Sequence, residues 1–341
     1  MRGVRAWDRQ WCETRDASYG PIIEAVAEHG DYVDSWGFGF GEFCSAASLA
    51  GETWTEDRAD WIGHYRLVHT PGGDLRSMHL SSKTGMPGMQ MEFMVKTLED
   101  LEAALAVPYQ PILPDVAGYF AKEQEMGESG VVLCSLTSPI QVVHNLMGSE
   151  PLAIWSLTDR ERVLELLWTM QGRIVETLKH LLAQGVRHFA MLGEEYVTPP
   201  LHSATDFRAF AVEPEVEIGR LIHEVDGLLH LHSHGPLTAV LEDFIEIGAN
   251  CLHPLEAPPM GDVTLEEAKR RIGHAICLEG NIQIGDLYAG NTEDIVAQVR
   301  HNRQVTGDQG YILCPTASPH TPVLSELTVR NYLAMIRAGV E

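Results

Sequence analysis

Basic residues and long apolar runs are scarce in this chain. Lys and Arg number 24 against 48 Asp and Glu, so the formal net charge at pH 7 is −24. This balance argues against nucleic acid and anionic membrane surfaces as partners, because both select for basic patches. No apolar run approaches the roughly 18 residues of a transmembrane helix, and residues 1–8 contain no apolar signal core. We therefore expect a cytoplasmic protein.

Paired cysteine spacing is also missing. The 6 cysteines are scattered over 341 residues, which in an acidic chain predicts reduced thiols rather than a disulfide framework. The motifs G-x-S-x-G, G-x-x-x-x-G-K-[ST] and H-E-x-x-H are absent as well. The nucleophile elbow, the P-loop and the helical zinc motif therefore find no support in the sequence.

Short apolar runs alternate with long amphipathic segments over the C-terminal two-thirds of the chain. The apolar runs have the pattern of strands buried on both faces. These predicted strands are 130–135, 187–192, 227–232, 249–253, 275–279 and 310–314. The predicted helices are 158–184, 206–225, 237–248, 264–272, 292–306 and 325–338. Repeated strand–helix units predict parallel strands with right-handed crossovers, and this many in succession favour an α/β fold of the (β/α)8 TIM-barrel type.

The first 110 residues are less regular. We predict a single domain over 1–341, with an irregular N-terminal excursion at 1–110 and the main barrel at 111–341. Residues 31–40 are a candidate strand, and the turn signal at 71–74 (PGGD) predicts a hairpin that includes 75–95. Such an excursion could cover one mouth of the barrel.

Polar side chains follow five successive predicted strands. They are Glu194, Glu195 and Tyr196, then His232 and His234, then His253 and Glu256, then Glu279 and Asn281, and finally Cys314. Because the active site of a barrel lies at the carboxyl ends of its strands, we expect these side chains to share one mouth.

The His232-x-His234 pair is the most specific of these features. Two imidazoles one residue apart can turn toward a common ion, and Cys314 would add a thiolate from another strand. Zinc accepts nitrogen and sulfur donors, and catalytic zinc keeps a fourth position open. The alternative is a hydrogen-bonded barrel histidine beside an inert buried thiol. His232, His234 and Cys314 are the predicted metal ligands.

The remaining candidates have catalytic or substrate-binding roles. Glu194 and Glu256 are the predicted catalytic groups, as proton donors or as partners that orient a histidine. Because adjacent residues of a strand face opposite ways, only one of Glu194 and Glu195 is expected to enter the mouth. The alternatives are a solvated loop pair for the two adjacent glutamates and a partner of the following helix for Glu256. The predicted substrate contacts are Glu195, Tyr196, His253, Asn281 and His320.

Several segments resemble the uroporphyrinogen decarboxylase superfamily. The C-terminal ones are 230–235 (HLHSHG), 247–256 (IGANCLHPLE), 278–282 (LEGNI) and 310–315 (GYILCP). Upstream, 70–75 (TPGGDL) and 95–101 (VKTLEDL) look like the bacterial methyltransferase-like branch. The resemblance implies a (β/α)8 barrel, in agreement with the strand pattern. The family's usual opening strand is not visible, so it is either absent or supplied by a divergent segment.

The resemblance implies two activities. The superfamily's cobamide-dependent methyltransferases bind zinc through a His-x-Cys pair and a C-terminal Cys, which correspond to His232, His234 and Cys314. His234 replaces the middle Cys; imidazole is also a good zinc ligand, and it leaves the ion a stronger Lewis acid. The implied enzyme transfers a methyl group between a small methylated or thiol substrate and a corrinoid (cobamide). A partner protein would carry that corrinoid, because this chain has no Asp-x-His-x-x-Gly segment.

The other implied activity is a metal-free decarboxylase, or a tetrapyrrole-binding relative. That branch uses an arginine-rich N-terminal motif, whose spacing Arg2, Arg5, Arg9 and Arg15 do not reproduce. It also needs several cations in the mouth to hold propionates, and the sequence offers few. A third hypothesis is a non-catalytic barrel that binds a small molecule or a partner. The sequence leaves the assembly open, with a homodimer as the form to test.

Overall fold

The computed structural model describes residues 4–84, 86–307 and 309–341. In chain order its strands are β1 (Tyr32–Trp36), β2 (Gly51–Arg58), β3 (Trp61–Thr70), β4 (Gly73–Ser82), β5 (Met89–Glu92), β6 (Gly130–Ser135), β7 (His188–Leu192), β8 (Leu228–His232), β9 (Cys251–His253), β10 (Cys277–Ile282) and β11 (Tyr311–Pro315). Two sheets result, one of seven strands and one of four.

The helices lie mainly between the strands of the larger sheet. They are α1 (Arg9–Glu13), α2 (Gly20–His29), α3 (Leu98–Leu105), α4 (Ala117–Met126), α5 (Pro139–Met147), α6 (Ser149–Thr158), α7 (Arg160–Ala183), α8 (Ala204–Phe207), α9 (Glu213–His223), α10 (Asp243–Ile247), α11 (Leu265–Arg271), α12 (Ile284–Ala289), α13 (Thr292–Thr306) and α14 (Glu326–Val340). Among the described residues, no helix is both long and apolar enough to cross a bilayer.

The larger sheet is the predicted TIM-type barrel sheet. Its order is β1-β6-β7-β8-β9-β10-β11, and every pair is parallel. The sheet curls around a cavity of about 300 Å³ lined from β1, β6, β7 and β8. All six strands predicted in the C-terminal two-thirds are present, with ends shifted by a few residues at most. The fold class is therefore confirmed.

In the described part of the chain the larger sheet has seven strands rather than eight, with β1 and β11 at its edges. The candidate strand at 31–40 is β1, and it pairs in parallel with β6. Beside β1, the N-terminal residues Val4, Arg5 and Trp7 line the central cavity, and Val4 is buried. The N-terminal segment thus forms part of the cavity wall together with β1.

The smaller sheet is an antiparallel meander in the order β2-β3-β4-β5. The turn predicted at 71–74 joins β3 to β4, so the hairpin signal is confirmed. The sheet has two more strands than a hairpin. All residues of β2 are exposed, and a strand without a buried face has no alternating apolar pattern by which it could be recognised.

One predicted helix is interrupted. The segment 206–225 is divided into α8, a π-helical stretch Arg208–Val212, and α9. Pro214 lies in the first turn of α9, where its missing N–H cannot continue the preceding hydrogen-bond ladder. The interruption places Glu215 in the first turn of α9, facing the barrel.

Candidate metal centre and active site

Period-two alternation places a set of polar side chains inside the barrel. On β8, Leu229 and Leu231 are fully buried against the surrounding layer, while His230 and His232 line the cavity. Neighbouring strands repeat this pattern, because side chains two residues apart share a face. The polar set comprises His230, His232, Cys251, His253, Cys277, Glu279 and Cys314, whereas Asn281 contacts Asn302 of α13.

The Glu279 carboxylate lies at the middle of this set and is almost fully buried. Its Oε2 lies 2.6 Å from His230 Nε2 and 3.6 Å from Cys251 Sγ. Its Oε1 accepts from Cys314 Sγ at 3.5 Å. A buried carboxylate is tolerated only when it is paired and hydrogen-bonded, and Glu279 meets both conditions. Glu279 and Cys314 lie within their strands rather than at strand ends, because β10 continues to Ile282 and β11 to Pro315.

His253 connects His232 to the last barrel strand. Its Nε2 lies 3.2 Å from the Pro315 carbonyl oxygen, and its Nδ1 lies 2.8 Å from His232 Nδ1. A carbonyl can only accept, so His253 Nε2 carries the proton and, in the neutral ring, Nδ1 accepts from His232. His232 then has its proton on Nδ1 and its lone pair on Nε2, the form in which an imidazole binds a metal.

His234 lies just past β8 and faces Glu256. His234 Nδ1 lies 3.2 Å from Glu256 Oε2, which also accepts from the Gly235 N–H at 3.0 Å. The hydrogen bond to Glu256 raises the pKa of His234. Burial pushes the pKa of Glu256 upward, but the hydrogen bonds from His234 and Gly235 outweigh it and leave the pKa lowered. The pair therefore favours a charged carboxylate beside a protonated imidazole.

Glu194 and Glu195 are separated by a tight turn rather than by strand alternation. β7 ends at Leu192, and Gly193 has a φ of +124°, after which Glu194–Val197 forms a 3-10 turn. A Cβ at Gly193 would lie 2.6 Å from Ser138 Oγ, so only glycine fits. Glu194 points into the protein toward Glu215 of α9. Burial raises the pKa of Glu195, and the positive charge of His234 opposes this shift.

Glu194 and Glu215 form a buried carboxyl pair. Both side chains are fully buried. If both were ionised, none of their four oxygens would have a hydrogen-bond donor among the described residues. Burial, followed by the charge of Glu195, raises the pKa of Glu194 to about 8, and burial likewise raises that of Glu215. One proton between them turns one carboxyl into a donor to the other, so the pair shares a proton.

The other predicted substrate contacts lie at different depths. Tyr196 stacks on His144, with ring centroids 3.6 Å apart. Asn281 is buried and accepts from Asn302 Nδ2 at 2.9 Å. His320 lies on an exposed loop, where its backbone N–H donates to Tyr288 Oη at 3.0 Å. Of these three, His320 lies in a separate surface pocket with the Thr14–Tyr19 segment.

Two groups of side chains in the barrel suit a metal ion. In each, one ligand atom per residue lies within 4.8 Å of the others: His253, Glu279 and Cys314 in the first group, His230, Cys251 and Glu279 in the second. Ligand atoms around a tetrahedral zinc lie about 3.5 Å apart, so a small adjustment would bring each group to bonding distance. Their nitrogen, sulfur and oxygen donors also match zinc chemistry.

The predicted ligands are divided among these contacts. Cys314 belongs to the first group, His232 meets that group through His253, and His234 is turned to Glu256. His230, Cys251, Cys277 and Glu215 are not among the candidates predicted from the sequence, and Glu279 has no predicted role. The alternation H-x-H, C-x-H and C-x-E-x-N along three consecutive strands is the signal that could have found the first three.

The fold and this polar interior define the class of protein, and the comparisons identify its family. The family model for uroporphyrinogen decarboxylase (URO-D) matches residues 81–338, so the chain belongs to this family of enzymes. A search of curated protein sequences finds no significant match.

Two solved structures are similar to this chain at low sequence identity. A methyltransferase from Methanosarcina mazei is 17% identical, with a TM-score of 0.57, over 76% of this chain and 73% of that one. A B12-independent methionine synthase from Shewanella sp. W3-18-1, in complex with selenomethionine, is 14% identical, with a TM-score of 0.45, over 74% of this chain and 70% of that one.

Proposed function

We propose that this protein is a zinc-dependent methyltransferase. It would transfer a methyl group between a small methylated or thiol substrate and a corrinoid carried by a partner protein. The observation that supports the proposal best is the group of His253, Glu279 and Cys314 inside a URO-D barrel, which His232 joins through its contact with His253. The fold shared with a methyltransferase adds support at the level of architecture.

The proposed zinc ligands are His232, His234 and Cys314. His253 holds His232 with its lone pair on Nε2, which prepares that ring for an ion. His234 would bind the metal through Nε2, while its Nδ1 keeps the contact with Glu256 as outer partner. A zinc ion in this place would act as a Lewis acid, lowering the pKa of a thiol acceptor or stabilising the leaving group of a methyl donor. The competing ligand set is His253, Glu279 and Cys314.

The remaining residues have proposed roles around this centre. Glu256 would accept from Nδ1 of His234 and orient that ring, while the proton that His234 gives up on binding the ion would go to solvent. Glu194 would keep a proton near the mouth through its pair with Glu215. Glu195, Tyr196, Asn281 and His320 remain proposed substrate contacts.

Metal content and methyl transfer test the proposal together. The Cys314→Ser variant should lose one equivalent of zinc and all methyl transfer to free cob(I)alamin, measured by the change in corrinoid absorbance across a panel of methylated compounds. Cys134→Ser is the matched control, since Cys134 is a fully buried thiol on β6 outside both donor groups. Less than about a tenth of an equivalent lost in Cys314→Ser, in protein never exposed to chelator, would overturn the proposal.

The variants His234→Ala and Glu279→Gln separate the two ligand sets. Zinc loss at the Cys314 centre in His234→Ala alone supports the proposed set, and loss in Glu279→Gln alone supports the competing one. The number of protons released on zinc binding can be measured in both variants, and this measurement does not require turnover.

The cavity disfavours the decarboxylase alternative. Propionate groups need unpaired cations, but Arg5, which lines the cavity, lies 3.6 Å from Asp34. Lys122, which is not among the lining residues, lies 3.1 Å from the same carboxylate. Tight porphyrin binding, seen as a shift in porphyrin absorbance, would reverse this assessment.

A further inference from the structure

We infer a second metal site, one layer deeper in the barrel than the proposed catalytic centre, formed by His230, Cys251, Cys277 and Glu279. It goes beyond the proposed methyl transfer and does not depend on it. The chemistry of its donors points to zinc held as a structural ion.

Strand register brings the donors together. Cys251 on β9 is the register partner of His230 on β8 and also of Cys277 on β10. These three side chains therefore form one row across three parallel strands on the same face of the sheet. Glu279 comes two residues after Cys277, on the same face, and its Oε2 turns back to His230 at 2.6 Å and to Cys251 at 3.6 Å.

The distances already approach a coordination sphere. Donor atoms of His230, Cys251 and Glu279 lie within 4.8 Å of one another. Cys277 is not in that group; it is the register partner of Cys251 on β10, and a side-chain adjustment would bring its sulfur to the ion beside the sulfur of Cys251. Two sulfurs, one imidazole nitrogen and one carboxylate oxygen make a four-coordinate set typical of structural zinc, with no position left for substrate.

The charges also balance. Binding of one Zn²⁺ would release the two thiol protons to solvent and leave two thiolates, one carboxylate and one neutral imidazole around the ion, for a net charge of −1. Lys269 supplies a positive charge that acts on Cys277 and offsets this excess. In the absence of metal, His230 and Glu279 are hydrogen-bonded to each other.

The ion would join a part of the sheet that has few backbone pairs. β9 is the shortest barrel strand at three residues, and it pairs with β10 at two positions only. A metal bound from β8, β9 and β10 would cross-link these strands directly beneath His232 and His253. Because Glu279 turns its other oxygen to Cys314, one carboxylate contacts both levels.

Metal counting on single-cysteine variants tests the inference. Protein is stripped with chelator and reloaded with Co²⁺, and bound metal is measured together with the thiolate-to-cobalt charge-transfer absorption. Wild type should bind about two equivalents. Cys251→Ser and Cys277→Ser should each lose one equivalent, whereas Cys134→Ser should match wild type. Cys314→Ser should retain one ion, and X-ray absorption should show two sulfurs at about 2.3 Å.

The results distinguish this site from the catalytic one. Loss of metal in Cys314→Ser but not in Cys251→Ser or Cys277→Ser overturns the deeper site and leaves the proposed function standing. The reverse pattern sinks the proposed function alone. A Cys251–Cys277 disulfide in the purified protein, found by mass spectrometry under non-reducing conditions, also overturns the deeper site. Unchanged circular dichroism in each variant shows that the counts refer to folded protein.

Discussion

The two sheets of the molecule place their polar residues in opposite surroundings. In the barrel sheet, polar side chains such as His230 and Glu279 point inward and are nearly inaccessible to solvent. In the antiparallel sheet, β2 is exposed along its whole length, and its Glu56 and Arg58 interact in solvent. Both sheets contain ion pairs. The pair in the barrel is buried, so each of its groups needs the other to offset the loss of water, whereas the pair on β2 remains hydrated.

This difference in burial indicates which polar residues are candidates for function. Exposed ion pairs contribute little to stability, because water and salt screen them. A buried donor or acceptor that loses its partner bears the full desolvation cost. Polar residues that remain inside a barrel despite this cost are therefore the ones to examine for chemistry.

The largest expected effect comes from removing the carboxylate at the centre of the barrel set. Glu279→Ala leaves His230, Cys251 and Cys314 without a contact that each makes now. We expect a loss of about 3–5 kcal/mol in the free energy of unfolding, measured in urea on chelator-treated protein. Glu56→Ala on β2 is the matched control and should leave the urea midpoint close to that of wild type. Equal midpoints for the two variants would contradict the comparison.

A pH-dependent effect of intermediate size is expected at the buried carboxyl pair. The folded-state pKa of Glu194 is raised from 4.5 to about 8, so its stabilising contribution is complete below pH 4.5 and is lost as the pH rises to about 8. Wild type should lose up to about 1.4 kcal/mol per pH unit across this window. Glu194→Gln should flatten the dependence, because a neutral amide can donate to Glu215.

Urea unfolding at a series of pH values measures this slope. Glu213→Gln is the control, since Glu213 is exposed at the start of the same helix as Glu215. An unaltered slope in Glu194→Gln would show that the pair does not share a proton. Infrared absorption of a protonated carboxyl, lost in the Glu194→Gln variant, gives an independent readout.

The smallest effect is expected in the antiparallel sheet. Trp54 on β2 stacks on Tyr65 of β3, with ring centroids 5.0 Å apart and planes 2° apart, but remains 37% exposed. Trp54→Ala should destabilise by about 0.5–1.5 kcal/mol in thermal or urea unfolding. Thr55→Ala, on the opposite face of the same strand, should change less. A loss as large as that of Glu279→Ala would mean that this sheet is as interdependent as the barrel.

The barrel strands were predictable for a physical reason. A strand such as β6 (Gly130–Ser135) is enclosed between lumen and helices, so it is nearly continuously apolar and stands out against polar helices. The interruption of the helix before α9 and the exposed β2 were missed, because neither leaves a periodic apolar pattern. Sequence position at strand ends was enough to propose candidate site residues, but not the contacts that they make.

The sequence by itself determined the alternation of strand and helix, the parallel barrel and the presence of imidazoles and a thiol on barrel strands. The physical reason is that hydrophobic periodicity and the succession of elements along the chain can be read locally. The tertiary structure decided which of these groups meet. Register placed Cys314 beside Glu279 and His232 beside His253, and a tight turn directed Glu194 to Glu215. Contacts between residues far apart in the chain depend on sheet register and barrel curvature, which only the assembled fold defines.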